Sequence, residues 1–329
     1  FSIKVVRIIV KEFTFSGHDS FALRHGWLKK VFDSLKKQET ANVRELDGTD
    51  QNIFDPTIAM GAFGVGKNMV RAMRYWSLAT RMVELNSNEK YSTSELANML
   101  MGSGKDSEEK GVDPFQESFG SIWLIHWELV TNQSMCTTWD YAFSKFSKTI
   151  FSKSDLLEEL EAYTQDKGWK VSSKSLEKDV NCFIQMYSPP EGEHAGIFKE
   201  ESLECPLSEL RLVSKDVASG GYRFDIGPKK TLPPFVLYYA LAKYAYGRAS
   251  ALLSLDEIFY EPTSPGKVFK LDENALSTLL ERANEETNGL LEWRETGPLR
   301  QLQINDTLSN PIDLLKIGFA KTLQKQEAA

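Results

Sequence analysis

The feature that most constrains this chain is the run from Gly61 to Val83, GAFGVGKNMVRAMRYWSLATRMV. A glycine-rich turn leads into a stretch with helical periodicity. Wound at about 100° per residue, residues 67 to 83 place Lys67, Arg71, Arg74 and Arg81 on one side. Met69, Met73, Trp76 and Val83 fall on the other. No acidic residue occurs between Pro56 and Val83. One face is built to dock on a core, and the other presents only positive charge. Such a helix fits either a solvated protein surface or a phosphate backbone. Asp55-Pro56 starts a short helix ahead of it, so the order is helix, glycine turn, helix, the layout of a helix-turn-helix unit.

That layout recurs with little sequence similarity. Ser154-Asp155 opens a helix, DLLEELEAYTQDKG, and Val171-Ser172-Ser173 leads into KSLEKDVNCFIQMY. Leu176, Val180, Phe183, Ile184 and Tyr187 form the apolar stripe of this second helix, and Lys167, Lys170, Lys174 and Lys178 gather around the turn. Later, Leu232-Pro233-Pro234 opens a long aromatic helix. SLDEIFYE and LDENALSTLLERANEE follow, and the runs Leu290–Arg294 and Leu299–Ile304 flank a Gly-Pro turn as a β-hairpin. The expected fold is mainly α, with several helix-turn-helix or winged-helix-like modules and small β-hairpins. At 329 residues the chain exceeds one typical core. The expected division is 1–150, an N-terminal helical domain with the first unit; 151–205, the second unit; and 206–329, a winged-helix-like domain. Elsewhere, Asp19 or Ser20 is expected to cap a helix reaching Asp33, and residues 37–52 and 101–113 read as loops. Pro114 to Val130 reads as a core helix, and Trp139 to Phe151 as helical. Residues 206–227 read as a short helix followed by one strand, Gly221–Phe224.

With 39 Lys and Arg against 46 Asp and Glu, the net charge is −7. That excludes a protein that coats nucleic acid by bulk charge but allows a local basic patch. Cys136, Cys182 and Cys205 lie far apart with no CxxC pair, which argues against a disulfide framework or a structural zinc site. A reducing cytoplasm fits this usage. No apolar run is long enough to span a bilayer, and no signal peptide is recognised, so no membrane partner is expected. The chain begins at Phe1, so its initiator methionine is expected to lie outside it.

Two groups of residues could carry chemistry. Gly61 to Asn68 reads G-x-x-x-x-G-K-N, one residue short of a phosphate-binding loop, because Asn68 stands where a hydroxyl would hold magnesium. No nucleotide cofactor is expected. Gly64 and Gly66 serve a tight interhelical turn, or their backbone N–H groups hold a nucleic-acid phosphate. The second group is His18, Asp19, Arg24 and His25, which holds two of the four histidines within eight residues. Three roles are open for it: a hydrogen-bonded turn, acid–base or metal chemistry, or phosphate contact. His126, inside an aromatic helix, reads as a core histidine, and His194 as a solvated one.

Taken in order, FSGHDSFALRHGWLKKVFD, GVGKNMVRAMRYW, LIHWELVTNQSMCTTWDYAF, SLEKDVNCFIQMY, YRFDIGPKKTLPP and SPGKVFKLDENAL resemble the domain-of-unknown-function 4007 family, from about residue 13 to about 305. The resemblance implies a DNA-binding, DNA-nicking component of an anti-phage DNA phosphorothioation system. It implies a cysteine desulfurase, an ATPase and a PAPS-reductase-like protein as partners. Sulfur replaces a non-bridging phosphate oxygen there, and a nick would open the backbone for that exchange. Residue roles come only from the reading above. Gly64, Gly66, Lys67, Asn68, Arg71 and Arg74 are the expected DNA contacts, with Lys174 and Lys178 as a second set. His18, Asp19, Arg24 and His25 are the candidate reactive cluster, with Mg²⁺ or Mn²⁺ as a possible cofactor. The competing expectations are a module that recognises DNA without catalysis and a scaffold whose basic faces meet acidic proteins.

Overall fold

Apolar spacing dictates where the first helices form and what they bury. The computed structural model describes residues 13–44, 52–86, 89–102, 110–188, 205–296 and 299–327. Helix α1 (Trp27–Arg44) buries Leu28, Val31, Phe32 and Leu35 at three- and four-residue spacing. It runs through residues read as loop from position 37, because Lys29–Asp33 and Lys36–Glu39 pairs support an otherwise polar helix. It starts later than expected. Asp19 and Ser20 cap nothing; they adopt left-handed backbone, φ 52° and 69°, inside a tight turn. Helix α2 (Pro56–Phe63) begins with proline at its first turn, and its Asp55 cap accepts the Thr57 N–H at 2.9 Å. Gly64, φ 67°, ends it in the left-handed conformation that glycine adopts without strain. Helix α3 (Lys67–Ala79) follows, then the hairpin β1 (Val83–Leu85) and β2 (Tyr91–Thr93), then α4 (Glu95–Met101).

Helix α3 is shorter than its periodicity suggests, and Arg81 does not lie on its basic face. The cause is in α5 (Phe119–Val130), whose residues from Gly120 onward are all buried. It carries Glu128, 1% exposed, and a buried carboxylate needs a counter-charge. Arg81 turns inward at φ 53° to supply it. Its guanidinium donates to Glu128 Oε2 at 2.7 Å and to the carbonyls of Glu128 and Thr131 at 2.9 Å each. The Tyr239 hydroxyl donates to the other Glu128 oxygen at 2.6 Å. Val83 likewise leaves the helix and begins β1.

Helix α6 (Thr137–Asp140) passes into one π-helical turn (Tyr141–Lys145), then β3 (Ile150–Phe151), so the expected continuous helix from Trp139 to Phe151 is interrupted. Helix α7 (Lys153–Asp166) opens with a capping box between Ser152 and Asp155, and α8 (Ser173–Tyr187) is capped by Ser172. A 3₁₀ turn (Pro206–Leu210) leads to β4 (Val213–Asp216) and β5 (Gly221–Phe224). The order in this sheet is β3-β5-β4, so it joins residues from both sides of position 205. Helix α9 (Pro234–Gly247) is followed by β6 (Leu252–Ser254), α10 (Leu255–Phe259), α11 (Pro265–Val268), α12 (Glu273–Glu281) and α13 (Ala283–Glu286). The expected hairpin is β7 (Leu291–Thr296) and β8 (Leu299–Ile304), joined by β6 in the order β6-β8-β7. Helix α14 (Ile312–Glu327) returns onto α9. There Gly318 abuts the Phe235 ring so closely that a Cβ would overlap it.

Strands β4 and β6 and helix α14 had no signal in the sequence reading. Residues 189–204 and the 297–298 turn lie outside the described residues, and with them His194. No helix among the described residues is long and apolar enough to cross a membrane. His126 is a core residue as expected. Its Nε2 donates to the Val268 carbonyl at 2.9 Å, and its Nδ1 accepts from Tyr187 at 2.7 Å. Burial pushes its pKa from 6.5 to about 3, aided by nearby Lys270 and opposed by the Val268 carbonyl.

Two outcomes follow from this packing. Gly64→Ala should cost about 1 kcal/mol in urea unfolding, the penalty of a Cβ in left-handed backbone; an unchanged midpoint would contradict the assigned turn. Because the unfolded chain takes up the His126 proton first, its stability contribution is complete above about pH 6.5. That contribution is lost as pH falls from there toward about 3. The His126 ring signals in NMR should stay neutral at pH 5, and a midpoint near 6.5 would refute the burial argument.

Candidate nucleic-acid interface

The α2–turn–α3 unit places its charges by simple geometry. Val70, Met73, Trp76 and Ala79 are buried, so Lys67, Asn68, Arg71 and Arg74 face outward. Gly66 caps α3 without a side-chain hydrogen bond, and the first turn holds no acidic residue. The N-terminal N–H groups of a 13-residue helix therefore meet solvent beside Lys67 and Asn68. Nothing lies within 4 Å of a Cβ built on Gly61, Gly64 or Gly66, so a ligand has open access to the turn backbone. The side chains of Lys67 and Arg71 have no hydrogen bond or ion pair to the described residues. The carboxylate of Asp55, at the start of α2, is occupied by Thr57, whose hydroxyl and N–H hold its pKa below the usual range. Arg74 is preset: its Nε donates to the Tyr91 hydroxyl at 2.6 Å, and its guanidinium stacks over that ring. Tyr91, on the hairpin, is a contributor the periodicity did not reveal.

The four residues of the second candidate cluster differ in burial: His18 is buried, Asp19 and Arg24 are half-buried, and His25 is exposed. His18 is fully buried beneath α3, stacked on Trp76 at 5.6 Å between centroids. Its Nδ1 accepts the Ser20 N–H at 3.1 Å, so its Nε2 carries the proton and donates to Asp179 Oδ1 at 2.9 Å. Asp179, on α8, also accepts from the Ser16 N–H at 2.7 Å and from Thr138 at 2.8 Å. The hydrogen-bonded turn is thus the arrangement in the structure, and both ring nitrogens are engaged. Asp19 leaves one buried carboxylate oxygen without a partner among the described residues. Arg24 lies over Trp27. His25 faces the surface and pairs with Glu209 at 3.0 Å. Asp179 is the residue that sequence reasoning missed, since its partners are 41 to 163 positions away.

Lys174 is exposed on α8 and Lys178 half-buried. Among the described residues no group of three or more His, Cys, Asp and Glu side chains could hold a metal ion, and the His18 cluster does not fit one. The three cysteines are free and buried, and burial pushes the thiols of Cys136 and Cys205 up to about 12.

The structure is thus a mainly α protein with small antiparallel sheets, and α3 turns its cations to solvent. The chain belongs to the DUF4007 family, described as a protein of unknown function, whose model matches residues 15–317. It is similar to the crystal structure of SspB, with 28% identity, a TM-score of 0.74, and coverage of 95% of this chain and 87% of that one. A magnesium ion-bound crystal structure of SspB is similar to the same extent, with 27% identity, a TM-score of 0.75 and the same coverage. No curated protein matches the chain in sequence.

The two histidines should separate in a stability measurement. Asp179→Ala removes one partner of a buried pair and should cost about 3–5 kcal/mol. His25→Ala breaks an exposed pair and should change stability by less than about 1 kcal/mol. Equal urea midpoints for the two variants would contradict the assigned roles.

Proposed function

We propose that the chain is the DNA-binding subunit of a DNA phosphorothioation system, and that α3 lies on the DNA backbone. The observation that carries this reading is the outward face of α3. Lys67, Asn68, Arg71 and Arg74 stand beside an uncapped helix N-terminus and an open glycine turn. Backbone N–H groups, the helix dipole, and Lys67 and Arg71, which have no ion pair among the described residues, would act together on backbone phosphates there. The system assignment is supported by family membership and by the likeness to SspB. The cysteine desulfurase, ATPase and PAPS-reductase-like proteins of such a system are the proposed partners.

The topology supports a modular reading. Twice, a helix, a strand, a run of helices and a hairpin follow in order, two α-helices in the middle unit and four in the last, with the first strand pairing beside the last. The α1–α2–α3–β1–β2 segment has the same order without the first strand. We read these as three winged-helix modules in which α3, α8 and α12 take the place of the groove-facing helix. Of these, α3 alone among the described residues exposes several cations and no carboxylate. Helix α8 exposes Lys174 beside Glu177, and α12 carries Glu273 and Glu281. DNA recognition is what this geometry favours. Nicking, which the resemblance implies, has no support from the His18 cluster, because that imidazole is sealed and spent on Asp179.

Fluorescence anisotropy of a labelled duplex across salt concentrations tests the interface. Arg71→Ala and Lys67→Ala should each weaken binding and flatten the log–log salt slope by about one. Wild-type affinity and slope in both would sink the assignment. In parallel, supercoiled plasmid is incubated with the protein and Mg²⁺, Mn²⁺ or EDTA. Retarded but uncut plasmid is expected, and relaxed circles from the wild type would instead establish a nickase.

A further inference from the structure

A second basic feature lies away from α3, where the middle and last units meet. A cavity of about 250 Å³ opens there. Ser147, Lys148 and Thr149 line it from the segment before β3, Phe224 from β5, and Lys267 and Lys270 from α11 and the residues after it. The volume lies below the roughly 300–1,000 Å³ of sites for drug-sized ligands.

Lys270 is the unusual member. It is 8% exposed, and its backbone holds φ 51°, uncommon for a residue with a Cβ. Its amine donates to the Phe143 carbonyl at 2.8 Å and sits 4.2 Å from the Phe224 ring centroid. An ammonium carries three donors, and this one contact uses a single one. No carboxylate among the described residues pairs with it. Burial, together with the neighbouring charges of Lys267 and Lys229, pushes it from 10.5 to about 7. Lys229 is itself paired with Asp225 at 2.7 Å, whereas the Lys267 side chain has no hydrogen bond or ion pair to the described residues. Lys148, at the mouth, pairs with Asp155 at 2.6 Å and Glu159 at 3.6 Å. The Ser147 and Thr149 hydroxyls are exposed and make no hydrogen bond to the described residues.

A buried cation without a counter-charge is costly, and here a second unpaired cation shares its cavity wall. We infer that this cavity binds a phosphate-class oxyanion, held by Lys270 and Lys267 and closed at the mouth by Lys148 and the Ser147 and Thr149 hydroxyls. The anion would supply the missing counter-charge and accept charge-assisted hydrogen bonds from both amines. Because the two amines come from the last unit and the hydroxyls from the middle one, binding would also fasten the two units together. A free phosphate and the terminal phosphate of a nucleic-acid strand share this chemistry.

The test is calorimetric titration of the full chain with inorganic phosphate at pH 6.5, alongside thermal unfolding in phosphate and in chloride at equal ionic strength. Saturable binding is expected, with a rise in Tm beyond that in chloride. Lys267→Ala and Lys270→Met should each weaken it at least about tenfold with the far-UV spectrum unchanged. Lys267 is half-exposed, so its variant decides the question even if Lys270→Met folds poorly. No saturable binding, or a Tm rise shared equally by Lys267→Ala and the wild type, overturns the inference, since that rise is a general salt effect. Single-stranded oligonucleotides with and without a 5′-phosphate identify the source. Preference for the phosphorylated one, lost in Lys267→Ala, assigns the cavity to a strand end, and no preference beside phosphate binding assigns it to the free anion. None of these titrations uses duplex DNA, so failure of the α3 reading would leave them untouched.

Discussion

The carboxylate of Glu128 is the constraint around which the molecule is arranged. It sits on a helix that is buried on every side, where an isolated charge would be far too costly to keep. Arg81 and Tyr239 satisfy both of its oxygens, and they come from positions 47 and 111 residues away on either side of it. This one requirement ends α3 at Ala79, reverses the backbone at Arg81, and ties α9 to the central helix. It also sorts the arginines. The one consumed by the core is lost to the surface, and Lys67, Arg71 and Arg74 remain to define the basic face.

A second buried link orients that face relative to the middle unit. His18 is stacked on the inner side of α3 and bonded to Asp179 of α8. The turn that holds it adopts left-handed backbone at Ser16, Asp19 and Ser20. Such residues persist where surrounding packing over-determines them, and the Trp76, Tyr75 and Trp139 rings do so here. His18, which reads as chemistry in a linear sequence, therefore joins the first turn to α8, while the residues on the opposite side of α3 face solvent.

Much of the architecture was legible because it rests on local rules. Asp55-Pro56, the Gly64 turn, the aromatic α9 and the final hairpin all follow from capping, backbone freedom or alternation that neighbours in sequence supply. Short strands were not legible. Strand β4 has four residues and β6 three, and each exists because a distant partner offers a pairing edge. Helix α1 outran its expected end because its charge pairs, not an apolar stripe, carry its later turns. In the candidate site, Lys67, Asn68, Arg71 and Arg74 were readable from helical spacing alone. Tyr91, beside that face, and Asp179, in the buried link beneath it, were not, since each meets its partner from another element.

By itself, the sequence determined the mainly helical class, the glycine turn, and that Lys67, Arg71 and Arg74 share one face of α3. Those properties depend on 3.6-residue periodicity and on what a glycine backbone can do. The tertiary structure alone decided that Arg81 serves the core, that His18 is sealed against Asp179, and that Lys270 and Lys267 meet in one cavity. Charge pairing and burial are properties of residues brought together from distant positions, and only the packed chain specifies which groups lose their water and which keep it.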